Sequence, residues 1–462
     1  MSRIFGRKIE LALLILVAGL LALMLISLEL SQGNALTTDM AWLIGGFIGV
    51  FALAHLVISF TAPYSDQILL PVAATLNAIG LVMIYRIDIA RDTGLAARQV
   101  LWTLVGIILL VVTLIVISDH KTLARFSYLL GLIGLVLLAL PLVWPQPEDA
   151  EAKIWLTIGP FSVQPGEFSK IMLLMFFAQL LTQKRALFTV AGYRFLGMEF
   201  PRLRDLAPIL VVWAIAILIM GVSNDFGPAL LLFATVLGMM YFATGRASWL
   251  IIGIGLVSIG AVAVYNVSSK IQSRVENFID PLGTYHGDGG GYQLSQALFG
   301  MSWGGMTGTG LGMGYPHHVP VAWTDFILSS IGEELGLIGL SGVIVLFAIF
   351  ITRGFNAAMS VRDSYGKLLA AGLSLTIAIQ VFVVVGGISA MLPMTGLTTP
   401  FMSAGGSALM ANYILLAMLL RISNSARKPI EVDEGANYSP QIGAGTNYFP
   451  AARKSAGAEV AR

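Results

Sequence analysis

Residues Gly304–Gly339 read GGMTGTGLGMGYPHHVPVAWTDFILSSIGEELGLIG. A glycine-dense loop gives way to an apolar helix, with Asp325 where the two meet and Glu333 and Glu334 inside the helix. Ionisable groups within a membrane span are costly and tend to face a cavity or a partner. Three acids this close together therefore need a reason. The membrane setting comes from the chain as a whole. Of its 462 residues 57% are hydrophobic and 11% are charged, against roughly 25% charged in ordinary soluble domains. A water-soluble core cannot hide that much apolar surface, so an all-α polytopic membrane protein is expected. The net charge of +2 comes with no basic patch or nucleic-acid motif, and no nucleic-acid partner is expected. The chain has no cysteine, which removes disulfides and thiolate metal sites.

Working outward, apolar runs of spanning length lie near 10–30, 41–62, 68–85, 99–117, 127–145, 167–183, 206–222, 226–243, 248–266, 326–352, 366–390 and 403–422. The first follows Arg3, Arg7 and Lys8 like a signal peptide, but its full membrane length and the lack of a cleavage pattern predict a retained span. About twelve spans put both termini on one side. That side collects Lys121 and Arg125, then Lys184, Arg185, Arg194, Arg202 and Arg204, then Arg353, Arg362 and Lys367. The positive-inside rule makes it cytoplasmic. Arg86, Arg91 and Arg98 break the pattern on the outer side. Residues 267–324 form a long extracytoplasmic loop, in which GYQLSQALFGMSWGG can lie as an interfacial helix. The tail from 426 to 462 carries no hydrophobic period and reads as a disordered cytoplasmic segment.

Three stretches can carry chemistry. Asp325 is explained either as a helix N-terminal acid favoured by the macrodipole or as a partly desolvated general base at the floor of an outer cavity. Glu333, eight residues on and within about 80° of the same helix face, would line that cavity; Glu334 points away and would pair with another helix. In IWLTIGPFSVQPGEFSKIML (154–173), Glu167 and Lys170 share a helix face. They are either a local ion pair or the anion-binding half of a site, with Lys170 neutralising phosphate oxygens. Trp155 is an interfacial anchor or a sugar platform. In MLPMTGLTTPFMSAGGSALM (391–410), glycines and prolines expose backbone, and Thr395, Thr398 and Ser403 supply hydroxyls for a polar ligand. Asp225 is read as a cap for the helix that follows. His317 and His318 lack further ligands for a metal. The glycines at 304–314 have no strand before them and no GK[ST] after, so they do not form a nucleotide loop.

WLTIGPFSVQPGEFSK, SNDFGPALL, GYQLSQALFG followed by GTGLGMG, TDFILSSIGEELGLIG and LPMTGLTTPFMSAGGS occur in one order. That order resembles the SEDS family of shape, elongation, division and sporulation proteins, which includes RodA, FtsW and SpoVE. The likeness covers roughly residues 65–425. It implies a ten-helix core at 65–425 with two extra N-terminal helices at 1–64, as in actinobacterial members, and HHVPVAWTDF is closer to the elongation type. It also implies a multi-pass protein of the bacterial plasma membrane, its active site facing outward. The implied activity is peptidoglycan glycosyltransfer: lipid II is polymerised into glycan strands and undecaprenyl pyrophosphate is released. The family aspartate maps onto Asp325, as base for attack of the GlcNAc 4-hydroxyl on MurNAc C1. The family Glu and Lys map onto Glu167 and Lys170, and its tryptophan onto Trp155. Ile154, Gly166 and Ala404 depart from the family pattern. Lys170, with or without a divalent cation (Mg2+ or Mn2+), would stabilise the leaving pyrophosphate; no organic cofactor is expected. The implied partners are lipid II, the nascent glycan strand, membrane lipid and a class B penicillin-binding protein. A lipid II flippase and a non-catalytic scaffold are the competing readings; polar candidates clustered toward the outer face favour chemistry.

Overall fold

The computed structural model describes residues 5–429 apart from 34, 36–37, 146–151, 160, 190–192, 196–197, 201–202 and 287–290; the tail expected to be disordered lies, from residue 430 on, outside them. The chain runs α1 (Lys8–Ser31), α2 (Thr38–Thr61), α3 (Leu69–Arg91), α4 (Leu95–Val116), α5 (Lys121–Arg125) and α6 (Ser127–Val143). A hairpin of β1 (Leu156–Ile158) and β2 (Phe161–Val163) leads into α7 (Gly166–Thr189), and a second of β3 (Tyr193–Phe195) and β4 (Met198–Phe200) into α8 (Leu203–Val222). Then come α9 (Phe226–Thr244), α10 (Ser248–Val267), α11 (Ser269–Ile279), α12 (Gly291–Gly304), α13 (Ile327–Glu334), α14 (Gly336–Ser360), α15 (Ser364–Ile388) and α16 (Gly406–Arg427). All twelve expected spans fall on helices. Among the described residues nine are long and apolar enough to cross a membrane, and Ser127–Val143 and Leu210–Val222 are shorter apolar helices. The fold class read from composition holds.

Helices α3, α15 and α16 are buried along most of their length, whereas α1 and α10 turn most of theirs outward. Lipid tails are as apolar as leucine, so helix association relies on close packing and polar bonds rather than on the hydrophobic effect. Both are visible here. A Cβ on Gly80 of α3 would sit 2.5 Å from the Met402 carbonyl, and Asn77 donates to the Phe401 carbonyl at 3.1 Å. The bundle's two chain ends meet. Arg7 donates to the Ala62 and Ser65 carbonyls at 3.2 and 3.0 Å, while Arg427 pairs with Asp66 at 2.6 Å. Met1–Arg427 accordingly forms one unit.

The helix expected over 326–352 is instead two. Gly336 breaks it with φ +67°, a region closed to most side chains, and the Leu337 and Ile338 amides turn to the Gly305 and Met306 carbonyls at 2.9 and 3.1 Å. On the other side of the break, Thr309 and Gly310 donate to the Glu333 and Glu334 carbonyls at 3.0 and 3.1 Å. The glycine segment, expected as part of a long loop, is therefore stitched to the α13–α14 junction. Its glycines are needed because a Cβ at 304, 308 or 336 would strike the facing backbone. The helix expected within GYQLSQALFGMSWGG is present as α12. Two of the three arginines that broke the expected charge pattern are also placed: Arg86 is buried against Glu334 at 2.9 Å, and Arg91 donates to the His317 carbonyl at 2.6 Å and lies over Trp323.

Candidate active site

Asp325 lies in the turn that leads into α13, not on a helix shared with Glu333 as the sequence suggested. The turn is held from the 391–410 stretch. Ser403 Oγ donates to the Thr324 carbonyl and accepts from the Thr399 amide at 2.8 Å. The Ala404 amide donates to the Trp323 carbonyl at 2.8 Å. Thr324 Oγ1 donates to Asp325 Oδ1 at 2.9 Å. Burial raises the Asp325 carboxyl above the ordinary range, against the Thr324 bond and the positive charge of Arg274. A carboxylate set this way is a better proton acceptor than a solvated one.

A second group lines a cavity between α6, α7, α8 and α9, with Gln164, Glu167, Lys170 and Asp225 as its polar walls. Lys170 Nζ donates to Glu167 Oε2 at 2.5 Å, and both side chains are largely buried. Asp225 makes no side-chain capping bond to α9, which corrects the reading of it as a helix cap. Instead its carboxyl is pushed up to about 6 by burial and by the charge of Glu167, with Lys270, Arg274 and Lys170 pulling it back down. Because this folded-state pKa exceeds the unfolded value of 3.8, the folded form keeps a proton that the unfolded form has lost. Stability therefore falls as pH rises from about 4 to about 6. Asp225→Asn should melt higher than the unaltered protein at pH 7.5, and the gap should close below pH 4; thermal unfolding in detergent at the two pH values checks this.

Arg274 ties the two groups together. It sits on α11, inside the stretch taken as loop, donates to the Thr395 carbonyl at 3.0 Å, and its charge acts on both Asp225 and Asp325. Sequence reasoning missed it and Lys270, although Lys270 and Arg274 share a helix face at i,i+4 and Ile271, Val275 and Phe278 repeat at helical spacing. The structure brings Glu167 and Lys170 together and places Ser403 beside Asp325. Ser403 is spent on backbone bonds that hold the Asp325 turn. The carbonyl of Thr395 accepts from Arg274, and that of Thr398 from Gln380 at 2.7 Å. Glu333 is buried, and its Oε1 accepts the Tyr315 amide at 2.5 Å, so it grips the glycine segment. Glu334 pairs with α3 through Arg86, as expected. Trp155, 40% exposed, precedes β1.

The sequence profile of the FtsW/RodA/SpoVE cell cycle proteins matches residues 66–428. The chain belongs to that family. Among FtsW/RodA/SpoVE relatives, it is 47% identical over 448 residues to the peptidoglycan glycosyltransferase RodA of Mycobacterium tuberculosis, covering 95% of each chain. It is 49% identical over 399 residues to that of Mycobacterium leprae, covering 84% of this chain and 85% of that one. The stage V sporulation protein E of Bacillus subtilis is 31% identical over 378 residues, covering 78% and 98%. Of solved structures, a chain from work on coordination of polymerization and crosslinking by a peptidoglycan synthase complex superimposes with a TM-score of 0.64 at 24% identity, over 79% of this chain and 99% of that one. A variant of the rod shape determining protein RodA of Thermus thermophilus gives 0.57 at 22% identity, over the same shares. These two likenesses establish the FtsW/RodA/SpoVE fold.

Proposed function

We propose that this chain is a peptidoglycan glycosyltransferase of the RodA type that polymerises lipid II during cell elongation. The observation that carries this is the 47% identity with a named peptidoglycan glycosyltransferase RodA across 95% of both chains. In this reading Asp325 takes the proton from the acceptor GlcNAc 4-hydroxyl as its oxygen attacks donor MurNAc C1, and undecaprenyl pyrophosphate departs. An α-linked donor giving a β-linked product needs one base and no covalent intermediate. Lys170, oriented by Glu167, faces the developing pyrophosphate charge. Thr395, Thr398 and Trp155 are proposed to contact substrate. The bonds made by Ser403 and Glu333 support positioning roles for them rather than direct binding. Among the described residues no three His, Asp or Glu side chains are grouped to hold a metal, so no step is routed through a divalent cation.

The protein is a multi-pass membrane protein. We place its termini in the cytoplasm and Asp325 outside, on the charge asymmetry of the connections. A class B penicillin-binding protein is the proposed partner, supported by the likeness to a chain from a peptidoglycan synthase complex. Purified protein given lipid II in detergent should form glycan strands. Absence of strands from folded protein would favour a flippase or a scaffold. Lys170→Met should lower kcat/KM for lipid II by about 10–100-fold, the range of a lost charge-assisted hydrogen bond. Lys170→Arg should recover part of that loss in the same assay.

A further inference from the structure

The N-terminal helix α1 lies outside the stretch matched by the family profile, which begins at residue 66. Its outer end nevertheless reaches the glycine segment. The Gln32 side-chain amide donates to the Gly312 carbonyl, while the Gly312 amide donates to Glu334 Oε2 at 3.0 Å. The Gly312 residue is thus held from both faces, by α1 on one and by α13 on the other. Nothing larger than glycine fits there. Gly312 has φ +84°, and an added Cβ would strike Ser31 Oγ and come within 3.0 Å of Leu28 Cδ1. One helix turn back, Glu29 accepts from the Tyr85 hydroxyl, next in sequence to the Arg86 that pairs with Glu334. From Gly312 the hold passes along the chain. Arg86 donates to the Gly314 carbonyl at 2.8 Å, Glu333 holds the Tyr315 amide, Arg91 holds the His317 carbonyl, and Arg91 covers Trp323 at 5.3 Å. Asp325 follows two residues later. At its other end α1 is fixed by Arg7 to the Ala62–Asp66 connection.

We infer that Gln32 is a positioning residue, through which the added N-terminal helix holds the glycine segment and so sets the Asp325 turn. This rests on the reading of Asp325 as the base. The test uses the full-length protein in detergent with the Gln32→Glu variant, which replaces the donor by a carboxylate facing the Gly312 carbonyl. Two readouts are needed: hydrogen exchange over residues 308–315, which reports local opening, and lipid II polymerisation. The expected result is exchange faster by about tenfold or more over that segment, with kcat for lipid II falling more than KM changes and the global melting temperature unmoved. Gln32→Lys, which keeps a donor of similar reach, should restore both. Unchanged exchange in Gln32→Glu would overturn the inference, and so would faster exchange with unaltered polymerisation. Failure of the underlying reading is separable: Asp325→Asn would then polymerise normally, and the exchange result would stand on its own.

Discussion

Asp325→Asn should leave lipid II unpolymerised, with strand formation down at least about a hundredfold, the lower bound for loss of a positioned general base. Asparagine keeps the size of the side chain and can still accept from Thr324 Oγ1, so the turn should persist and the melting temperature should stay put. That separates lost chemistry from lost fold. The two carboxylates of α13 cannot substitute, because Glu333 is committed to the Tyr315 amide and Glu334 to Arg86 and the Gly312 amide. A pH dependence follows with a definite sign. The base works only when ionised, and burial raises its pKa. Activity should therefore rise with pH through a limb lying above the ordinary aspartate range near 3.9, and Asp225→Asn should leave that limb in place. Full polymerisation by folded Asp325→Asn would remove the base assignment.

Arg86→Ala should cost the fold more than any active-site change. Arg86 and Glu334 are 5% and 0% exposed and sit 2.9 Å apart. Removing one partner of a buried pair leaves an uncompensated charge, at a cost of about 3–5 kcal/mol. Here the loss extends further, since the same guanidinium holds the Gly314 carbonyl. Purified Arg86→Ala should melt well below the unaltered protein or fail to accumulate. Adding Glu334→Gln should return much of the stability, because the amide oxygen can still accept the Gly312 N–H while the stranded charge is gone. Equal stability of the single and double variants would show that the pair is not what matters.

Hydropathy was enough to place helices under all twelve apolar runs, nine of which are long and apolar enough among the described residues to cross a membrane, because run length is a property of the chain itself. The ordered motifs brought Asp325, Glu167 and Lys170 forward as candidates, and the structure sets the last two side by side. What the sequence hid is of three kinds. Gly336 lies within a run of spanning length, and its left-handed backbone accompanies bonds between residues 305, 306, 309 and 310 and the residues on either side of it. Helix α11 is too short and polar to register as a span, so Arg274 was read as loop. Asp225 precedes a helix as a cap would, yet its pKa is raised by burial and by Glu167 of α7 and opposed by charges on α7 and α11, which are distant in sequence. Local pattern shows elements; it does not show which of them converge.

The burial of α16 bears on the order of biosynthesis. Asn77 and Gln99 find their partners in the Phe401 and Ser403 carbonyls, and Arg421 reaches back to the Thr61 and Leu114 carbonyls. All of these acceptors or donors near the C-terminal end emerge from the ribosome more than 300 residues after some of the groups they satisfy. Until then the Asn77 and Gln99 side-chain amides lack these two acceptors, and an unsatisfied polar group within a bilayer is costly. The last stretch of the bundle to be made, from Phe401 to Arg421, therefore supplies the bonds that complete the polar pairing of the earlier helices.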